Sequence, residues 1–274
     1  MTRPIVLLTD FGHSSTYAGQ VKAVIAGIAP DAPVIDLTHD VAPFAIEEGA
    51  WMLECALPVL PEDAVVVAVV DPGVGTQRAE VVIRSGGRLF VGPDNGLLSC
   101  AVPRSRREEL ATPGPAPVAA GTDIDVRELC EPLIRRPHVS ATFHGRDIFA
   151  PAAAHLARGL DHRLVGPPLP RATVFAPFEG RPGRWGEIHG RVIHVDRYGN
   201  IVTTIRAGQV FPQFELRIGG IAVDRHFRTF ADAPPGVPFC HVDSSGYIAI
   251  ALNQEDAARV LGVGRGDPVV VHAR

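Results

Sequence analysis

Residues 64–70 read Ala-Val-Val-Val-Ala-Val-Val and stop at Asp71-Pro-Gly-Val-Gly75. An unbroken, mostly β-branched apolar run of this length, closed by turn residues, reads as a buried strand. It demands neighbours that shield it from water, and the residues around it supply them. Segments 5–8 and 34–37 are short apolar strands ending at Thr9-Asp10-Phe11-Gly12 and Thr38-His39-Asp40. Segment 17–28 carries Val21, Val24, Ile25 and Ile28 at helical spacing. Segment 45–57 reads as a second helix, with Glu47 and Glu48 suited to its N-terminus. Segments 81–84 and 88–91 are two further strands joined at Gly86-Gly87. This βαβαβ beginning implies a parallel sheet with right-handed crossovers.

The texture changes later in the chain. Segment 103–117 is rich in Arg, Glu and Pro and reads as an exposed connection, and 148–160 reads as a helix. Proline and glycine then accumulate without clear periodicity. Beyond them, short strands recur at 190–195, 201–205, 215–218, 226–230, 247–251 and 268–272, with at most a short helix at 256–261. The expected architecture is α/β: an N-terminal parallel-sheet α/β sandwich domain over 1–168, a linker over 169–186, and a smaller antiparallel β-barrel or sandwich domain over 187–274.

Bulk properties narrow the function. A net charge of −4 leaves no basic footprint for nucleic acid. Cys55, Cys100, Cys130 and Cys240 are scattered and form no CxxC pair, so neither a zinc ribbon nor a disulfide framework is indicated. The first apolar run is too short for a signal peptide, and no uncharged apolar stretch reaches spanning length. A cytoplasmic protein without a membrane partner is the expectation.

Polar residues stand at the ends of the first-half strands: Asp10, His39-Asp40, Asp71 and Asp94-Asn95. In open α/β sheets ligands bind in the crevice at those ends. Each residue alone has a plainer reading as a turn former, but several in one βα array, with His144-Gly-Arg-Asp147 downstream, point to a shared cleft. Asp10-Phe-Gly12 is not the kinase tripeptide, because no lobe or glycine-rich loop precedes it, and no HExxH or Walker sequence is present.

Taken together, Thr9-Asp-Phe-Gly12, Tyr17-Ala-Gly-Gln-Val-Lys22, Asp36-Leu-Thr-His39, Val70-Asp-Pro-Gly-Val-Gly75 with Arg78, Pro93-Asp-Asn-Gly-Leu97, Phe143-His-Gly-Arg-Asp147 and Val195-Asp-Arg-Tyr-Gly-Asn200 occur in order. This series resembles the S-adenosyl-L-methionine hydroxide adenosyltransferase family, the adenosine-forming relatives of fluorinase and chlorinase. The resemblance implies that water or hydroxide attacks ribose C5′ of S-adenosylmethionine and releases adenosine and L-methionine. It implies no metal and no cofactor, and a homotrimer with active sites at subunit interfaces.

By the same matching, Asp71, Arg78 and His144 hold the water. Asp10 takes the ribose hydroxyls, Asp196 the methionine ammonium and Asn200 the adenine edge. Tyr198 and Phe44 form walls, Ser244 and Ser245 lie at the methionine carboxylate, and Leu252 to Gln254 contact adenine. The halide branch carries tyrosine at position 71, threonine at 74, tyrosine and serine at 144–145, tryptophan at 44 and arginine at 245. This chain has Asp71, Val74, His144, Gly145, Phe44 and Ser245 there, which implies water as the nucleophile.

Alternatives stay open at the level of residues. His144 reads equally as a structural turn histidine, Arg78 as a partner of Glu80, and 196–200 as a β-turn. Asp10, His39, Asp40 and Asp71 would suit a metal-dependent nucleosidase or phosphatase. A non-catalytic S-adenosylmethionine- or adenosine-binding module is a third reading.

Overall fold

The run at 64–70 forms β3 (Val65–Val69), buried along its whole length between β1 (Ile5–Thr9) and β5 (Arg88–Pro93). The computed structural model describes residues 2–110, 112 and 114–273. The first unit, Met1–Pro177, is built on a six-stranded sheet. Its other members are β2 (Val34–Thr38), β4 (Glu80–Ser85) and, beyond β6 (Ala116–Ala119), β7 (Ile124–Glu128); the order is β2-β1-β3-β5-β4-β7. The first four strands in that order are parallel, whereas β4 pairs antiparallel with both β5 and β7. Strand β7 had no clear signal in the sequence.

Period-2 alternation explains the layers. Ile5, Leu7, Val65, Val67 and Val69 pack on one face, with Val21 and Ile25 of α1 (Tyr17–Ile28) and the alanine-rich helix preceding Arg158. Val6, Leu8, Val66, Ala68 and Val70 pack on the other, with Leu53 of α2 (Ile46–Ala56). Strand β8 (Arg171–Val174) pairs antiparallel with β6, and its Ala172 and Val174 join this second core. Helices on both faces make the expected α/β sandwich.

Two details differ from expectation. The stretch 103–117 contains a short helix, α3 (Arg104–Arg107), whose Arg107 is buried. Its guanidinium donates to Glu54 at 3.0 Å and to the Val102 carbonyl at 3.1 Å, so charge pairing rather than apolarity draws it inward. Residues 111 and 113 of that stretch lie outside the described residues. The helix expected at 148–160 begins earlier, as a π-turn over Gly145–Phe149 that runs into α4 (Ala150–Ala157).

The second unit, Phe178–Arg274, is an antiparallel sheet of β10 (Ile188–Val195), β11 (Ile201–Arg206), β12 (Phe214–Ile218), β13 (Ile221–Val223), β14 (Phe239–Val242), β15 (Tyr247–Ala251) and β16 (Pro268–Ala273), with β9 (Arg181–Pro182) beside β10. The order β13-β12-β16-β10-β11-β15-β14 leaves β13 and β14 at the edges. The chain leaving β13 bridges them: Cys240 N donates to Arg225 O at 2.8 Å, and Phe227 N to Cys240 O at 3.2 Å. The sheet thereby closes most of the way into a barrel around Val192, Ile201, Leu216, Ile250 and Val271. The strand expected at 226–230 is reduced to this bridge, because Thr229 and Asp232 cap a tight turn at Phe230–Asp232. Helix α5 (Ala257–Leu261) is short and is capped by Asp256. Among the described residues no helix is long and apolar enough to cross a membrane.

The π-turn is anchored through Asp147. Asp147 is fully buried, yet its carboxylate accepts from Arg146 Nε (2.7 Å), Arg146 Nη2 (2.8 Å) and Ser140 N (2.9 Å), with Arg136 Nε at 3.2 Å. Burial alone would raise its pKa. The hydrogen bonds and guanidinium charges outweigh burial and hold the carboxyl below its ordinary value. Arg146 in turn donates to Gln20 of α1 at 3.0 Å and stacks 4.8 Å from the Phe143 ring. The segment 140–147 is thus tied at both flanks. Asp147→Asn should cost roughly 2–3 kcal/mol in urea unfolding, because it breaks a buried pair. Since the folded pKa is depressed, this contribution is present at neutral pH and is lost as pH falls below about 4. The difference between wild type and Asp147→Asn should shrink across that window. An unchanged difference would remove Asp147 as its source.

Candidate active site

Strand β1 continues through α1 to β2 on one side, and β2 returns through α2 to β3 on the other. The C-terminal ends of β1 and β3 therefore flank a topological switch point, where no crossover covers the crevice. Asp10 follows β1 and Asp71 follows β3. Gly75, at φ +77, lets the 71–75 turn press against the segment before the π-turn: a Cβ there would lie 2.5 Å from the Ala141 carbonyl oxygen. This close approach brings His144 toward Asp71 and Arg78.

The polar cluster is tightly joined. Arg78 donates from Nε to Asp71 Oδ1 at 2.9 Å and from Nη2 to Asp71 Oδ2. Both side chains are largely buried, and the geometry is the two-point fork that fits a carboxylate. Arg78 Nη1 lies 3.3 Å from Glu80 Oε1, and Nη2 lies 3.4 Å from His144 Nδ1. His144 Nδ1 is 2.9 Å from Glu80 Oε1, while Arg135 approaches Glu80 Oε2 at 3.6 Å. The Arg78–Glu80 pairing exists, then, but alongside the Arg78–Asp71 pair rather than in place of it. Glu80 is the residue that sequence reasoning left out of the site; its one signal was its place two residues after Arg78.

A cavity of about 130 Å³ opens beside this cluster, lined by Asp10, Phe44, Asp71, Val74, Phe143 and His144 among others. Asp10 Oδ2 accepts from Phe44 N at 3.0 Å. Burial pushes the Asp10 carboxyl above its ordinary value, opposed by backbone N–H donors and reinforced by the nearby Asp71 charge. Phe44 sits at φ 66, a strained setting for a residue with a side chain, and its ring is 72% exposed. Phe11, Tyr17 and Phe143 pack edge to face with ring centroids 5.1–6.1 Å apart, and Phe11 and Phe143 line the cavity. A Cβ at Gly145 would come within 3.0 Å of Phe11 Cζ, so the ring closes on that glycine.

The remaining first-unit candidates go elsewhere. His39 is buried, with Nδ1 2.8 Å from Thr9 Oγ1 and Nε2 3.2 Å from Asp36 Oδ1. Asp40 is exposed beside His13 at 3.3 Å. The quartet Asp10, His39, Asp40 and Asp71 does not converge. Among the described residues no three His, Cys, Asp or Glu side chains gather as a metal-binding group.

In the second unit a larger cavity, about 730 Å³, is lined by Tyr198, Asn200, Phe230, Leu252, Gln254 and their neighbours. Four sequence-predicted residues thus meet there. Tyr198 is 78% exposed, and Gln254, at φ 59, shares the left-handed backbone seen at Phe44. Asp196 lies outside the lining. Its carboxylate accepts from Tyr198 N (2.8 Å), Asn200 N (2.9 Å) and Asn200 Nδ2 (2.8 Å), which fixes the turn and the Asn200 amide. One Nδ2 N–H is thereby used, which leaves the second N–H to donate and Oδ1 to accept. Ser244 and Ser245 occupy the β14–β15 turn, outside this cavity, with Ser245 N donating to Asp243 Oδ1 at 2.9 Å.

Comparison with known proteins agrees with this anatomy. Residues 5–166 match the model of the SAM hydroxide adenosyltransferase N-terminal domain, and residues 190–270 match that of its C-terminal domain. The chain is 42% identical to an (R)-S-adenosyl-L-methionine hydrolase of Thermus thermophilus, covering 97% of this chain and 98% of that one. It is 27% identical to a fluorinase of Actinopolyspora mzabensis, covering 98% and 97%. A crystal structure of an uncharacterized conserved protein from Thermotoga maritima superposes with a TM-score of 0.83 at 34% identity, over 98% of this chain and all of that one. On domain matches, full-length identity and shared fold, this chain belongs to the SAM hydroxide adenosyltransferase family.

Proposed function

We propose that this protein hydrolyses S-adenosyl-L-methionine to adenosine and L-methionine, without a metal or a cofactor. The observation that carries the reading is the joined Asp71–Arg78–His144 cluster at the switch-point crevice. The names of the hydrolase relatives support the same substrate and favour its R sulfonium epimer. The sulfonium is already a good leaving group, so the task is to deliver water in line with the C5′–S bond. In this reading Asp71, held at both oxygens by Arg78, orients the water, and His144 is its second contact. Charge is annihilated as the hydroxide-like oxygen meets the sulfonium, so a cavity walled by Phe11 and Phe143 favours the transition state.

Asp10 is assigned to the ribose hydroxyls and Phe44 to an apolar wall. Asn200 Oδ1 is assigned to the adenine amine, with Tyr198, Leu252 and Gln254 around the base. Asp196 is assigned a positioning role through Asn200 in addition to the ammonium contact the resemblance implies. Ser244 and Ser245 are kept as candidates for the methionine carboxylate. The first cavity is smaller than the ~300–1,000 Å³ usual for such ligands. Together with the exposed Phe44 and Tyr198 rings, this supports a homotrimer in which each site takes residues from two subunits.

Incubation with S-adenosylmethionine in oxygen-18 water with EDTA should give oxygen-18 adenosine and methionine by mass spectrometry. Failure to form labelled adenosine would remove the hydrolase reading. Asp71→Ala should retain substrate binding and lose about 100-fold or more in kcat. Asn200→Ala should mainly raise KM, by roughly tenfold. A selective fall in kcat would overturn the adenine assignment. Because the Asp10 carboxyl is raised, kcat/KM should fall on acidification at a pH above the ordinary aspartate value of about 3.9. In Asp10→Asn that limb should flatten; if it persists, it belongs to another group.

A further inference from the structure

His39 is buried and lies outside the cavity, yet it is joined to the turn that carries Asp10. Its Nε2 is hydrogen-bonded to Asp36 Oδ1 at 3.2 Å and its Nδ1 to Thr9 Oγ1 at 2.8 Å. Thr9 Oγ1 also accepts from Phe11 N at 3.2 Å, a link that spans Asp10. At the partly exposed end of the chain, Asp36 Oδ2 accepts from Lys22 Nζ at 2.9 Å. Main-chain bonds run alongside: Gly12 N donates to His39 O at 2.7 Å and Val41 N to Thr9 O at 3.3 Å. Strand β2 carries one extra residue just before this point, because Leu7 pairs with Asp36 and Leu8 with Thr38. Bulges of this kind re-aim the side chains beside a site. The available protons select one state of the ring. Burial raises the Asp36 carboxyl, but the Lys22 and His39 hydrogen bonds outweigh it and hold it below its ordinary value. An ionised carboxylate only accepts, so His39 Nε2 carries a proton. The Thr9 hydroxyl, accepting from Phe11 N, has its own proton to place, and His39 Nδ1 is the acceptor within reach among the described residues. A proton on Nδ1 would strand that buried hydroxyl without an acceptor, which folded proteins avoid.

We propose that His39, as its Nε2–H tautomer, is a positioning residue that ties Asp36 to the Thr9 hydroxyl and thereby fixes the Asp10 carboxylate for the ribose hydroxyls. The ribose contact rests on the function proposed above, whereas the tautomer rests on the hydrogen bonds alone. Asp10 is held on both sides: the Thr9–Phe11 link closes over its backbone, and Phe44 N donates to its Oδ2 at 3.0 Å. Phe11 lines the cavity, so the same link also sets one wall. Thr9, Asp36 and His39 do not line it, and their effect on a ligand passes through the turn. Supporting side chains of this kind limit how far a binding group can wander.

The test has two readouts. The first is a long-range proton–nitrogen correlation spectrum of nitrogen-15 histidine-labelled wild-type protein at about pH 8, where an ordinary imidazole is neutral. The His39 ring, assigned by its Overhauser contacts to Thr9, should show a protonated Nε2 and an unprotonated Nδ1. A ring protonated at Nδ1, alone or together with Nε2, overturns the proposal, and this readout needs no variant to fold. The second is a double-mutant cycle on adenosine binding by calorimetry; adenosine carries the ribose hydroxyls and is the product of the proposed reaction. Thr9→Val removes the hydroxyl at nearly constant shape and should weaken binding about tenfold, whereas Thr9→Ser keeps the hydroxyl and should stay within about twofold of wild type. In the Asp10→Asn background, Thr9→Val should change binding by no more than about twofold, because the carboxylate it positions is already gone. An equal loss in both backgrounds marks a general structural effect and overturns the positioning role, as does a wild type that binds no adenosine. Both readouts are independent of turnover. Failure to form adenosine from S-adenosylmethionine would remove the hydrolase reading, while the spectrum and the cycle would still decide what His39 does.

Discussion

When two parallel strands lie side by side and the chain leaves their C-terminal ends in opposite directions, the groove between those ends has no connection to cover it. Strands β1 and β3 meet this condition: β1 leads through α1 to β2 at the sheet edge, and β3 leads the other way, to β4 beyond β5. Polar residues at such strand ends face an opening that is framed by a rigid sheet but is not packed by it. Asp10 and Asp71 stand there, and the other site residues of the first unit are arranged around them. The apolar register of β1 and β3 sets the site as much as it sets the core. A one-residue slip would exchange the two faces of β3 and move Asp71 away from the crevice.

The second requirement is to bring a distant segment to that opening and hold it still. His144 arrives from a stretch that is neither strand nor regular helix, and its position is fixed from outside. The fully buried Asp147 anchors the π-turn through Arg146, Arg136 and Ser140 N, and Gly75 permits contact with the Ala141 carbonyl. The arrangement keeps His144 off the elements most constrained by packing while still limiting its freedom, a recognised requirement for a precise site.

Local patterning made much of this legible. The alternation of strand and helix in the first half, the helix at Tyr17–Ile28 and the strand at Tyr247–Ala251 follow from periodicity. The motif series singled out Asp71, Arg78 and His144, and the fold brings the three side chains together. What escaped depends on pairings that a linear pattern does not carry. Strands β7, β13 and β14 are short, and their identity comes from their neighbours. Arg107 reads as a solvated charge until Glu54 is brought to it. The left-handed backbone at Phe44 and Gln254 has no signature in residues that ordinarily avoid it. Glu80 was visible only as a partner for Arg78; its contact with His144 requires residues 64 positions apart in sequence on one side of the sheet end.

The charge arrangement bears on which nucleophile the crevice accepts. Arg78 is divided between Asp71 and Glu80, and Arg135 lies against the far oxygen of Glu80. Asp10 has no cationic partner among the described residues, so three carboxylates, those of Asp10, Asp71 and Glu80, stand beside two guanidiniums, those of Arg78 and Arg135, which leaves a formal excess of negative charge. A sulfonium cation relieves that excess. A halide ion would add to it, at a cost that grows as the site is dried, because like charges a few ångströms apart repel more strongly when water is removed. Water has no such penalty and can use the acceptors of Asp71 and His144. On the proposed reading, the same electrostatics that draws in the cationic substrate disfavours an anionic attacker.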